Sequence, residues 1–330
     1  MKIPEHISSR AAVNDAAFVL NEAGIGNARM EASWLLQHVL EHPPLYDERL
    51  DAAQYQEFFA LVGQRAHRVP LQHVMGEMYF RGLKLRARPG VFVVRPETEW
   101  VAEAGIETAQ VWGAQGIPPQ VLDLGCGSGA LGLAVAAEVA DTVLTSVDIS
   151  PEAVALTQEN ADLCGIKARV ILADATDLGG LISALTADSR LAPHETDRKA
   201  AATEGECQTE AAPHESENNG ANETKATPKF HVIVTNPPYV IETVTQPEAA
   251  ADPPQALYGG GTDGLDIPRR FLENAAKLLV AGGTVVMEHG ETQGEALVVA
   301  ARNLGFGRAH IEKDLAGRPR FLRASEYQGL

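Results

Sequence analysis

No stretch of this chain constrains its fold more than Asp123-Leu124-Gly125-Cys126-Gly127-Ser128-Gly129-Ala130-Leu131-Gly132. It follows an apolar run, 121–124, that reads as a strand, and it enters a second run, 131–139, that reads as a helix. Glycines at alternate positions let the backbone turn tightly and bring amide groups at the helix start against a ligand. Such a turn belongs at the carboxyl edge of an open sheet. The flanking chain fits that requirement. Segments 142–147, 168–172, 231–235 and 283–288 read as further strands, and 151–164 as a helix between two of them. This alternation predicts an α/β fold with a mostly parallel, doubly wound sheet. Segments 310–314 and 320–324, around Gly317, predict a closing hairpin.

Upstream, segments 11–21, 28–40 and 50–66 carry apolar residues at helical spacing. They predict a small helical bundle over residues 1–70. Between Leu71 and Arg95 the pattern changes. Segments 78–80, 83–85 and 91–94 are strand-like, punctuated by Gly82 and Pro89-Gly90, and predict a β-hairpin linker over 71–96. Pro96-Glu97-Thr98-Glu99 then opens a helix, with proline in the first turn and acids at its start, and residues 97–330 form the sheet domain. From about 187 to 228 the chain is rich in Ala, Glu, Thr, Asn and His and has no aromatic residue. That composition predicts a disordered acidic insertion, either a tolerated loop or a docking arm.

Composition narrows the function classes. A formal net charge of -17 disfavours a general nucleic-acid binder, because the chain repels a phosphate backbone. Cys126, Cys164 and Cys207 match no zinc framework and no disulfide scaffold, so no metal is expected. With no signal-like start and no long apolar run, the expected location is the cytoplasm, away from membranes.

Asp148 closes the strand about twenty residues after the glycine loop, where a carboxylate can accept both hydroxyls of a ribose. Gly127 to Gly132 also satisfies the dehydrogenase pattern GxGxxG, which alone is a weak signal. The earlier GxGxG spacing and Asp123 resemble the Asp-Leu-Gly-x-Gly-x-Gly loops of S-adenosylmethionine enzymes instead. Gly125, Cys126, Gly127, Ser128 and Gly129 are therefore the candidate cofactor cradle. Asp174 and Ala175, after the third strand, are candidates for the adenine end, although Asp174 reads equally as a turn-former. Cys126 has no adjacent base and reads as a small filler of a tight loop.

Directly after strand 232–235 stands Asn236-Pro237-Pro238-Tyr239. Two prolines stop the strand and fix the backbone, presenting Asn236 at the ligand edge of the sheet. An amide nitrogen is a poor nucleophile because its lone pair is delocalised. Acceptors facing its two N–H bonds can orient and polarise it, and the Asn236 side-chain oxygen and Pro237 carbonyl suit that task. Tyr239 is expected to supply a planar wall. Catalysis of this kind is positioning and electrostatics, without a strong base.

At this point the chain resembles the glutamine N5-methyltransferases of class I peptide chain release factors, the PrmC/HemK type. The resemblance rests on Pro70 to Gly76, Arg95 to Glu99, Asp123 to Gly129, Asn236 to Tyr239, Ala256-Leu257 with Gly260 to Leu265, and Glu288-His289-Gly290. It spans nearly the whole chain apart from the acidic insertion. It implies a helical bundle for substrate recognition, a β-hairpin linker and a seven-stranded methyltransferase domain. It also implies methylation of the glutamine in a Gly-Gly-Gln loop, with S-adenosyl-L-methionine converted to S-adenosyl-L-homocysteine. Gly125 to Gly129 and Asp148 would hold the cofactor. Asn236, Pro237, Pro238 and Tyr239 would hold the glutamine, with Asn236 also near the transferred methyl. The chain departs from the family at Val94, where Pro is frequent, and at Ala175, where some members carry an aromatic.

Rival readings are a glutamine methyltransferase of a ribosomal protein and an adenine N6- or guanine N2-methyltransferase of nucleic acid. A non-catalytic module with a vestigial cofactor site is a third. Arg95 to Glu99 favours the release factor over the ribosomal protein. The absence of a basic run disfavours nucleic acid. Intact Asn236 and intact glycines disfavour a vestigial site.

Overall fold

The computed structural model describes residues 7–45, 48–187 and 227–329, and the insertion expected at about 187–228 lies, but for its outermost residues, outside them. The chain opens with β1 (Ile7–Ser8), α1 (Ser9–Glu22), α2 (Ala28–Leu40), β2 (Arg49–Leu50) and α3 (Ala52–Ala66). Local chemistry sets the helix starts. The Ser8 hydroxyl accepts from Ala11 N, and Asp51 and Gln54 form a reciprocal capping box at α3. The apolar stripes of α1, α2 and α3 meet in a core that includes Leu20, Leu35, Leu36 and Phe58. Each such side chain, fully buried, contributes roughly 1.5–3 kcal/mol.

The linker expected over 71–96 opens with a helix. Leu71–Met75 is a short helix, α4, because the amides of His73 and Val74 both close onto the Pro70 carbonyl at 3.0 Å. β3 (Glu77–Phe80) and β4 (Leu83–Arg86) then form the expected hairpin. Its turn, Arg81-Gly82, has both φ angles positive, which suits a two-residue hairpin loop. Segment 91–94 is not a strand. Val91 and Val93 are buried without strand pairing: Val91 sits against Ala153 and Leu156, and Val93 N donates to the Asp252 carboxylate at 3.1 Å.

A 3-10 turn, Pro96–Thr98, leads into α5 (Glu99–Ala114), then β5 (Gln120–Leu124), α6 (Ala130–Glu138), β6 (Val143–Asp148), α7 (Pro151–Cys164), β7 (Ala168–Leu172) and α8 (Leu178–Ala187). After the undescribed segment come β8 (Phe230–Thr235), α9 (Pro247–Ala250), α10 (Pro254–Leu257), α11 (Asp266–Leu278), β9 (Leu279–Glu288), α12 (Gly294–Asn303), β10 (Phe306–Lys313) and β11 (Pro319–Tyr327). The seven-stranded sheet has the order β10-β11-β9-β8-β5-β6-β7. Strands β9, β8, β5, β6 and β7 run parallel, and β11 pairs antiparallel with both β9 and β10. The doubly wound α/β fold expected from the alternation is therefore present.

Side-chain alternation along the strands builds a core on each face. Leu122, Leu124 and Ile233 pack with Leu181, Leu272 and Leu297 on one side. Val121, Val232 and Val234 pack with Val101, Leu133 and Val135 on the other. The hairpin contributes Met78, Phe80 and Leu85 to that second core. Helix α5 lies close enough to β8 that a Cβ at Gly105 would stand 2.7 Å from a Val234 methyl. The strand order reverses between β6 and β8 on either side of β5, which opens a crevice at the carboxyl edge.

Candidate active site

A cavity of about 510 Å³ occupies that crevice, within the range usual for small-molecule sites. Its walls come from the ends of β5, β6, β7 and β8, from Gly90 to Val94, and from the α10–α11 region. The glycine loop is held from several sides. Gly125 N and Cys126 N both donate to the Val147 carbonyl, at 2.8 and 3.0 Å. Thr157 Oγ1 donates to the Gly127 carbonyl at 3.0 Å, and Asn160 Nδ2 to the Ser128 carbonyl at 2.9 Å. Gly125, at φ 71°, permits a close approach that a side chain would block, since a Cβ there would meet the Phe271 ring at 3.3 Å.

Asp148 faces the loop. Its Oδ2 accepts from Gly127 N at 2.8 Å and its Oδ1 from Ser150 N at 2.9 Å. Burial pushes this carboxyl up and the backbone amides pull against that. Each oxygen keeps a further lone pair. Asp174 uses Oδ1 for Thr176 N and Thr176 Oγ1, at 2.8 and 2.7 Å. Burial pushes the Cys126 thiol up, and its Sγ rests 3.3 Å from Thr157 Oγ1, which is the setting of an unreactive packing group.

Of the candidate residues, Gly125, Cys126, Gly127, Ser128, Asp148, Asp174, Ala175, Asn236 and Pro238 line this one cavity. Gly129, Pro237 and Tyr239 are not among its lining residues. Gly129, at φ 82°, is the N-cap of α6, and a Cβ there would meet Thr157 at 2.9 Å. Pro237 is buried. Tyr239, expected as a planar wall, is held by its hydroxyl. A buried phenol needs a partner, and its hydroxyl donates to Glu288 Oε1 at 3.0 Å. Asp123 is fully buried and does not line the cavity. Its Oδ2 accepts from Gly132 N at 2.9 Å, its Oδ1 has no partner, and burial pushes the carboxyl up to about 7.

Sequence reasoning missed Phe92, Thr98, Ile149, Gln255, Arg270 and Phe271, all of which line the cavity. Ile149 follows Asp148 and is 55% exposed, an apolar surface left open beside an acid. Thr98 stood in a motif already singled out, but only as part of a helix start.

The segment after Asn236-Pro237-Pro238-Tyr239 ties the cavity to the bundle. Glu248, on α9, accepts from Arg65 Nη1 and Arg68 Nη2, both at 2.8 Å. Burial pushes the Glu248 carboxyl up, but the two arginines outweigh it and hold the group down at about 2. Asp252, just before α10, pairs with Arg95 and accepts from Val93 N. Among the described residues, no helix is long and apolar enough to cross a membrane, and no group of three or more His, Cys, Asp or Glu side chains has the arrangement of a metal site.

Comparison with known proteins matches residues 11–76 to the PrmC N-terminal domain and residues 114–180 to the methyltransferase small domain. A release factor glutamine methyltransferase of Bifidobacterium longum is 35% identical, over 94% of this chain and 97% of that one. Proteins of the same name from Mycobacterium tuberculosis, 34% identical over 96% of this chain and 91% of that one, and Deinococcus radiodurans, 30% identical over 97% and 99%, are similar throughout. Among solved structures, a ribosomal protein L11 methylase of Lactobacillus delbrueckii subsp. bulgaricus aligns at 19% identity and a TM-score of 0.42, over 74% of this chain and 86% of that one.

Proposed function

The chain belongs to the release factor glutamine methyltransferase family, and from that premise we propose that it methylates the side-chain amide nitrogen of the Gly-Gly-Gln glutamine in class I release factors. The donor is S-adenosylmethionine. Its place of work is then the cytoplasm, where translation runs. The observation that carries the substrate class is Asn236 on the wall of the same cavity as the glycine loop and Asp148.

The residues present suit the donor. Asp148 retains two lone pairs for the ribose hydroxyls beyond its backbone bonds. Asp174 retains Oδ2 for the adenine amino group, since Thr176 engages Oδ1. Ile149 offers the adenine an apolar contact that Ala175 is too small to give. A Cβ at Gly127 would meet no atom within 4 Å, so that glycine faces open space a ligand can fill. When bound, S-adenosylmethionine supplies an electrophilic methyl on a sulfonium. The chain's own residues do the rest. Asn236 accepts from one N–H of the glutamine amide and holds its nitrogen in line. The Pro238 side of the cavity and Thr98 limit how the amide can rotate. Proximity of this kind accounts for large rate factors, and ~1 Å of misplacement costs ~10²-fold.

The test is a methyl-transfer reaction with labelled S-adenosylmethionine and an unmodified class I release factor, mapped by peptide mass spectrometry. Label is expected on the Gly-Gly-Gln glutamine. Asn236→Ala should lower kcat by ~10²-fold or more while leaving the Kd for S-adenosylmethionine within about threefold. Label elsewhere, or equal loss of affinity and rate in the variant, would overturn the assignment.

A further inference from the structure

We propose that Gln293, which is not among the cavity's lining residues, is a positioning residue whose side-chain amide locks the backbone of Asn236-Pro237-Pro238-Tyr239 against the glycine turn 259–265. This deepens the function proposed above and rests on it. Proline has no N–H, so the two prolines after β8 remove two backbone donors from the tetrapeptide. Its course past Asn236 is therefore fixed through its carbonyls and through the residues that follow.

The hold converges on one buried amide. Gln293 is 3% exposed and is the N-cap of α12. Its Nε2 donates to the Tyr239 carbonyl at 2.9 Å and to the Asp263 carbonyl at 2.8 Å, and its Oε1 accepts from Gly290 N at 2.8 Å. A glutamine amide has two N–H bonds and one carbonyl oxygen. A backbone N–H only donates and a backbone carbonyl only accepts, so these three partners admit a single orientation of the side chain. The amide thereby joins three loops at the carboxyl edge of the sheet: the turn from β9 into α12, the end of the tetrapeptide, and the glycine turn. Close packing completes the joint. A Cβ at Gly264 would stand 2.5 Å from the Tyr239 carbonyl oxygen and 2.7 Å from Gln293 Nε2, and one at Gly259 would stand 2.8 Å from the Pro238 carbonyl oxygen. The main chain adds Val240 N to Leu257 O at 2.8 Å and Gly259 N to Val240 O at 3.2 Å. Asn236 and Pro238 on one side of this joint, and Gly260 on the other, line the cavity. A shift of the Tyr239 peptide is passed to Asn236 across two residues whose φ is fixed by a ring. At Asn236, ~1 Å of misplacement costs ~10²-fold.

The test compares wild type with Gln293→Met, Gln293→Glu and Gly264→Ala. Methionine keeps the unbranched bulk and loses all three bonds. Glutamate keeps the acceptor for Gly290 and has at most one donor for two carbonyls. Alanine at 264 pushes on the Tyr239 carbonyl from the other side. Its control is Gly317→Ala, because Gly317 has a similar φ, 78° against 70°, and a Cβ there meets no atom within 4 Å. The readouts are kcat and KM for the release factor, Kd for S-adenosylmethionine by calorimetry, and hydrogen exchange of peptides covering 239–241 and 259–266 by mass spectrometry. Gln293→Met and Gln293→Glu should each lower kcat by ~10- to 100-fold, with KM and Kd within about threefold. Exchange should quicken in both segments and not in the glycine loop 125–129. Gly264→Ala should have a kcat at least about tenfold below that of Gly317→Ala. Wild-type kcat in either Gln293 variant, unchanged exchange in either segment, or a Kd lost as steeply as kcat would overturn the proposal. If methionine does not fold, glutamate and the two alanine variants decide. If wild type labels no release factor while exchange still quickens in both segments, the positioning of the tetrapeptide by Gln293 stands and the substrate assignment falls.

Discussion

Asp123 shows how much a single buried charge can weigh. Its carboxyl is pushed up to about 7, burial first, with one backbone amide pulling the other way. Between the ordinary carboxylate value and about 7 the folded protein binds a proton that the unfolded chain has released. Stability therefore falls as pH rises through that window, by roughly 4 kcal/mol if the whole shift is realised. Asp123→Asn keeps an acceptor for Gly132 and removes the charge. Its melting temperature relative to wild type should rise steadily from about pH 5 to about pH 7, and a difference independent of pH would refute the assignment. The glycine loop, Asp148 and Asn236 were legible in the sequence because their chemistry is local: a turn needs positive φ, and a strand end presents the next residue to the ligand edge. The partner of the Tyr239 hydroxyl was not, because Glu288 lies on another strand.

At the level of elements, apolar periodicity located α1, α2, α3 and the parallel strands. It assigned no element to 71–75 and misread segment 91–94, where a short apolar run fits a strand and a packed coil equally well. Proline at position 70 and the Asp252 carboxylate, far later in the chain, decided those cases. The same segment carries a second long-range tie, from Glu248 to Arg65 and Arg68. Arg65 is buried and keeps Glu31 as a partner when Glu248 is lost. Glu248→Gln should therefore cost about 2 kcal/mol at neutral pH by denaturant unfolding. With its folded value depressed to about 2, Glu248 contributes stability that is present above the ordinary glutamate range and lost as pH falls toward 2. The cost of the variant should shrink below about pH 4.5, and a cost that stayed constant would exclude the ion pairs as its source.

For the whole molecule, a formal net charge of -17 means that compaction works against self-repulsion. Screening that repulsion should outweigh the weakening of exposed ion pairs, which contribute little individually. The melting temperature near neutral pH should rise on going from about 20 to about 200 mM sodium chloride, and a flat or falling trend would show that the ion pairs dominate. The architecture also has a bearing on how the protein is made. Strand β11 is interior, paired on one side with β9 and on the other with β10, and β9 carries Glu288, which accepts from the hydroxyl of Tyr239. Until residues 319–327 emerge from the ribosome, the β9 edge beside Glu288 has no β11 to pair with, so that part of the sheet closes only after the segment from α12 to β11 has been made.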